Sequence, residues 1–106
     1  MSTKKSKTWK WKNWDISWSL STKSNSEDNL NILLIHGFGA SKGHWRHNQD
    51  FLGKVSNCYA IDLLGFGESS QPSAQLNYEP YKENSIKYSF DLWSNQISTF
   101  CSEVIK

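Results

Sequence analysis

The stretch Leu30-Asn-Ile-Leu-Leu-Ile-His-Gly-Phe-Gly-Ala-Ser41 decides how the rest of the chain is read. Its first six residues are nearly continuous in apolar side chains, the pattern of a strand in a parallel sheet whose two faces are both covered by helices. The run ends at His36, and glycines follow at 37 and 39. Glycine lets the backbone bend sharply there and leaves amides uncovered, so the Phe38 N–H is expected to face an anionic oxygen instead of a ladder partner. Ligands of open α/β sheets sit in the crevice outside the carboxyl ends of such strands.

Upstream of this stretch, Trp9, Trp11, Trp14, Ile16, Trp18 and Leu20 alternate on either side of Lys12-Asn13, the period of a hairpin with one buried face. Residues 1–8 are polar and basic and read as a disordered tail, so the domain is expected to begin at Trp9 and run to 106. Ser21–Asn29 is a polar linker. An amphipathic hairpin joined to a buried strand implies a mixed sheet.

Downstream, Trp45, Asn48, Phe51, Leu52 and Val55 recur at helical spacing, predicting a short helix from His44 to about Lys54. Cys58–Ile61 is a second short apolar strand that ends at Asp62, and a glycine-rich turn carries the chain to Ser69. The order becomes β-β-β-α-β with a parallel crossover. Residues 70–88 form a long loop rich in Ser, Gln, Asn and Tyr, of the kind that is functional or variable. Ser89 is placed to cap a final helix whose face is Trp93, Ile97, Phe100, Cys101, Val104 and Ile105.

Composition limits what this α/β chain can be. With 106 residues it holds one domain at most, and its net charge of +2 is far from the basic excess of a nucleic-acid binder. The tryptophans interleaved with lysines therefore read as hairpin structure. The longest apolar run, Ile32–Ile35, is too short to span a membrane, and residues 1–8 lack the apolar stretch of a secretory signal. Cys58 and Cys101 form neither a disulfide framework nor a CxxC pair and read as free buried thiols, so a cytoplasmic location is expected. His44 and His47 are three positions apart without a third ligand of fitting spacing, so no metal site is expected.

A second dense signal is Ala60-Ile-Asp-Leu-Leu-Gly-Phe-Gly-Glu-Ser69. Taken with Ile35-His-Gly-Phe-Gly-Ala-Ser41 and His44-Trp-Arg46, it resembles the amino-terminal part of an α/β-hydrolase-fold enzyme, most closely members from cyanobacteria and plastids. The resemblance implies a partial α/β-hydrolase fold, truncated before the nucleophile elbow. It implies that Phe38 supplies an oxyanion-hole amide, that His36, Gly37 and Gly39 shape its loop, and that Asp62, Gly65, Gly67 and Ser69 set the turn beside the active site. The family nucleophile lies on a G-x-S-x-G elbow, which this chain lacks. Gly67-Glu-Ser-Ser-Gln71 begins like one, but Gln71 replaces the second glycine, so Ser69 reads as structural.

Position 38 is Phe where haloalkane dehalogenases of this fold carry a halide-binding Asn, and position 39 is Gly where epoxide hydrolases usually carry Pro. The resemblance then favours a serine hydrolase for a small-molecule ester or similar acyl substrate, without cofactor or metal. This chain is expected to be the front portion of such an enzyme and inactive by itself. The rival is a dinucleotide site, because Gly37-x-Gly39-x-x-x-Gly43 follows a strand and lies 19 positions before Asp62. The hairpin ahead of the glycine loop and the bulky His44-Trp45 pair speak against it. A non-catalytic interaction protein is the third alternative.

Overall fold

The computed structural model describes residues 3–23 and 29–106. Strands β1 (Thr3–Trp11) and β2 (Trp14–Thr22) form the hairpin, with Trp11 opposite Trp14 across the Lys12-Asn13 turn. Strand β3 (Leu30–Ile35) leads through a 3-10 turn (Lys42–Trp45) into helix α1 (Arg46–Leu52), and β4 (Ser56–Ile61) follows. Helix α2 (Phe90–Phe100) ends in a π turn, Cys101–Ile105. The strands form one mixed sheet in the order β1-β2-β4-β3, with β3 and β4 parallel and the other pairs antiparallel.

Several expectations change here. Strand β1 reaches back to Thr3, into the segment read as a disordered tail; β2 is long enough to pair residues 3–8, and the Lys7 ammonium lies 5.2 Å from the Trp18 ring centroid. Lys7 and Lys10 also suit an edge strand that pairs only with β2 among the described residues. Residues 24–28 of the linker lie outside the described residues. It is β4, not β3, that is buried along its whole length. Among the described residues β3 pairs only with β4, so Leu30 and Ile35 are exposed and the middle of the strand is half-buried.

One face of the sheet carries Trp9, Trp11, Ile16, Tyr59 and Ile61 beneath α2. Phe100 is fully buried there and meets Trp9, Trp18 and Tyr59 edge-on, with ring centroids 5.3, 5.5 and 6.3 Å apart. Ser89 caps the helix as its position predicts, its hydroxyl accepting from the Leu92 N–H. The inward line of α2 runs through Trp93, Gln96 and Phe100, which turns Cys101 out to solvent instead of burying it.

The opposite face is buried as well, although the hairpin pattern predicts only one buried face. Ser17, Ser19 and Ser21 alternate with the apolar residues Ile16, Trp18 and Leu20 of β2 and lie under α1 and the 62–70 turn. Small side chains with a hydroxyl allow that close approach. Gln49 of α1 is buried against them and donates from Nε2 to the Cys58 carbonyl (3.0 Å) and the Ser19 carbonyl (3.3 Å). Because Gln49 takes the inward position and α1 stops at Leu52, Phe51 and Val55 stay exposed. Helix and turn thus bring the carboxyl ends of β3 and β4 together.

Candidate functional site: two loops at the carboxyl ends of β3 and β4

Loop 36–41 leaves β3 and turn 62–69 leaves β4, and parallel pairing of Ile35 with Ile61 sets the two side by side. Every residue expected at the site lies in one of them. His36 is buried and joins both: its Nε2 accepts the Leu63 N–H at 3.0 Å. The ring proton must then sit on Nδ1, 2.8 Å from the Gly37 carbonyl that it donates to.

Asp62 is the hub. Its carboxylate is fully buried and accepts the backbone N–H of Lys42 at Oδ1 (2.6 Å). At Oδ2 it accepts the Glu68 N–H (2.9 Å) and the Lys42 ammonium (3.1 Å). Its carbonyl accepts from the Ser69 hydroxyl (2.7 Å) and from Gln96 Nε2 (3.2 Å). A buried carboxylate needs this many donors to offset its lost hydration.

Ser69 is buried and committed. While donating to Asp62, its Oγ accepts the Ser17 N–H at 2.9 Å, and no imidazole is within hydrogen-bonding reach of it among the described residues. The Ser70 hydroxyl likewise accepts the Asp15 N–H (2.9 Å), and the Ser70 N–H donates to the Asp15 carbonyl (2.8 Å). These two serines extend the ladder of β2 past the end of β4.

The glycines differ from one another. Gly67 has a φ of +56° and lies against the Asp62 carboxyl, so a Cβ there would overlap it. Gly65 has a φ of +94°, and a Cβ would fall 2.7 Å from Tyr88 Cε1. Gly39 also takes a positive φ, +79°. Gly37, expected to share the sharp bend, does not, and a Cβ there would meet nothing within 4 Å; the bend rests on Gly39 alone.

Phe38 stands at the crest of the loop with 90% of its surface exposed, and no hydrogen bond within the described residues engages its amide. Its ring meets Phe66 edge-on at 5.4 Å, and Phe66 continues to Trp93 at 5.9 Å. Together with Ile35, Leu63 and Phe90 they line an apolar groove of about 810 Å3. An unpaired amide beside an apolar groove can stabilise negative charge on a substrate oxygen while desolvating the rest of the molecule.

Three side chains that support the site escape sequence patterning. Gln96 of α2, fully buried, accepts the Leu64 N–H at 2.9 Å besides donating to Asp62, and the Trp93 indole N–H donates to the Leu64 carbonyl at 3.0 Å. Gln75 organises the long loop. Its Oε1 accepts from the Lys82 N–H (2.7 Å) and the Ser85 hydroxyl (2.8 Å), and its Nε2 lies 3.1–3.2 Å from the carbonyls of Leu76, Glu79 and Pro80. Tyr88 closes that loop by donating to the Pro72 carbonyl. Lys42 is the third. The one signal available was a polar residue inside an apolar helical stripe, which marks Gln96 only once its partners are known. Among the described residues no group of three or more metal-binding side chains occurs, His44 and His47 included.

The α/β hydrolase fold family model matches residues 31–102, a span that includes both loops. The chain belongs to this family. The Gly37, Gly39 and Gly43 spacing that suggested a dinucleotide site thus falls in the loop after β3 and the 3-10 turn of a chain of the α/β hydrolase fold family. It is 37% identical over 76 residues to the 1-acylglycerol-3-phosphate O-acyltransferase of Sus scrofa, covering 72% of this chain and 22% of that protein. It is 30% identical, with the same coverage, to the human (lyso)-N-acylphosphatidylethanolamine lipase (Homo sapiens). Among solved structures, a bacterial membrane phospholipase A superposes with a TM-score of 0.76 at 27% identity, over 95% of this chain and 28% of that one. The thioesterase domain of the curacin biosynthetic pathway, at 20% identity and a TM-score of 0.73, shares the fold over 95% of this chain and 33% of its own. The chain thus spans 22% of the length of the curated relatives named here. Among its described residues no helix is long and apolar enough to cross a membrane.

Proposed function

We propose that this chain supplies the oxyanion-hole wall of a serine hydrolase that acts on an ester or similar acyl substrate, with the Phe38 amide as one donor. The observation that carries the reading is that amide: unpaired within the described residues, at the carboxyl end of a parallel strand, on the rim of an apolar groove. Attack of a serine on the substrate carbonyl moves charge onto its oxygen. A preorganised N–H aimed there is worth about 10²–10³ in kcat. The second amide of the pair belongs to the residue after the nucleophile in this family of folds. We place both that residue and the triad outside these 106 residues, since no G-x-S-x-G occurs in them and Ser69 is bonded on both sides.

The relatives support an acyl substrate: two are named for transfer to, or hydrolysis of, acylated phospholipid-type molecules, and the 27%-identical structure is a phospholipase A. No cofactor enters this reading. Two free thiols, Cys58 and Cys101, suit the cytoplasmic setting we propose. The test is a hybrid enzyme in which this chain replaces the matching segment of the membrane phospholipase A. A folded hybrid that hydrolyses acyl esters supports the proposal, and a folded hybrid that binds substrate but has no turnover contradicts it.

A further inference from the structure

Loop 36–42 has little packing of its own. Phe38 is exposed, and within the loop only one backbone hydrogen bond, from the Ala40 N–H to the Gly37 carbonyl, spans its crest. Two side chains anchor its ends. The His36 ring holds the near end, and the Lys42 ammonium, bonded to Asp62 and Glu68, holds the far end beside the Lys42 N–H that donates to Asp62.

Lys42 is buried, which is unusual for an ammonium on the first turn after a loop. Its Nζ sits 3.1 Å from Asp62 Oδ2 and 2.7 Å from Glu68 Oε1, so one cation bridges the hub of the site and the outer limb of turn 62–69. Burial alone would lower the Lys42 pKa, but the hydrogen bonds and charges of Glu68 and Asp62 outweigh it and hold the ammonium above its ordinary value. A methionine could fill the same space. It would leave the buried Asp62 carboxylate without a cation and release the Glu68 carboxylate, the Glu68 N–H staying on Asp62.

We propose that Lys42 is the positioning residue of the oxyanion loop, clamping residues 36–42 to turn 62–69 through Asp62 and Glu68 so that the Phe38 amide is held ready for substrate. The proposal rests on the reading of Phe38 given above. It assigns the cation to fixing an amide, with no contact between Lys42 and substrate.

Hydrogen exchange of the full 106-residue chain, read by mass spectrometry, tests it. Lys42→Met should speed exchange about tenfold in the peptide spanning 36–44 and leave the β4 peptide, 56–61, at its original rate. Lys42→Arg, which keeps the charge, should restore protection. Glu68→Gln alters a side chain that is 70% exposed, so it leaves the fold intact and should speed the 36–44 peptide by a smaller factor. Unchanged exchange of the 36–44 peptide in both Lys42→Met and Glu68→Gln overturns the clamp, as does a Glu68→Gln effect equal in both peptides. The hybrid enzyme separates the two ideas. If Lys42→Met frees the loop but Phe38→Pro leaves turnover intact, the clamp stands and the oxyanion reading falls. If the loop does not move in Lys42→Met while Phe38→Pro removes turnover, the clamp falls and the oxyanion reading stands.

Discussion

Gly67 lies so close against Asp62 that any side chain at 67 would occupy the space of the buried carboxyl. The contact explains two sequence features at once. Asp62 can gather donors from the Lys42 and Glu68 amides because the backbone at 67 passes over it bare, and glycine also tolerates the φ of +56° found there.

Gly67→Ala should therefore destabilise the chain by about 2–5 kcal/mol, from backbone strain and overlap together. Gly37→Ala is the control. Nothing lies within 4 Å of the methyl it would add and the φ there is not positive, so stability measured by urea unfolding should stay within about 0.5 kcal/mol of the parent.

Ser69→Ala should cost about 1–3 kcal/mol, because it strips the buried Ser17 N–H of its acceptor and the Asp62 carbonyl of one donor. Thermal unfolding measures the loss. A serine-directed fluorophosphonate should add no mass to the parent chain, so the substitution should leave its intact mass after treatment unchanged apart from the exchanged side chain.

Gln75→Ala removes the centre of the 70–88 loop without touching the sheet. Trypsin should cut after Lys82 faster by about an order of magnitude, while the unfolding temperature shifts little. A loop that stays equally resistant would show that the bridge between Ala74 and Ile86 is enough to hold it.

Burial pushes the Cys58 thiol from 9.0 up to about 11, whereas Cys101 is exposed. At pH 8 a thiol reagent should modify one cysteine in the native chain and both after denaturation. The unfolded chain ionises Cys58 first. Stability from this group is thus complete below pH 9 and is lost as pH rises from 9 to about 11, and Cys58→Ser should flatten that part of the pH curve.

The loops were the most legible part of the sequence, because glycine spacing, a terminal histidine and an aspartate at a strand end have few readings in combination. The hairpin was half legible. Tryptophans at alternate positions announced one buried face, but Ser17, Ser19 and Ser21 looked like the solvent side, since a serine carries no signal of the Gln49 amide and the 62–70 turn that cover it. Edge position was hidden too: Leu30–Ile35 has the composition of a central strand, and only the pairing within the folded sheet puts β4 inside it and leaves the other side of β3 open among the described residues. Lys42 left no mark in the sequence and Gln96 only the weak one of a polar residue in an apolar stripe, because polar residues of their kind are usually solvated and their partners lie 20 and more positions away.

Stabilisation of the oxyanion by the Phe38 amide is the central claim, and removing that amide in the hybrid enzyme tests it most directly. Phe38→Pro deletes the backbone N–H of a residue whose side chain packs little, and Phe38→Ala deletes the ring but keeps the N–H. Steady-state hydrolysis of a short acyl ester should show kcat reduced about 10²–10³-fold by Phe38→Pro with KM little changed, and kcat near the parent value for Phe38→Ala. Equal kcat values for the two variants would contradict the account.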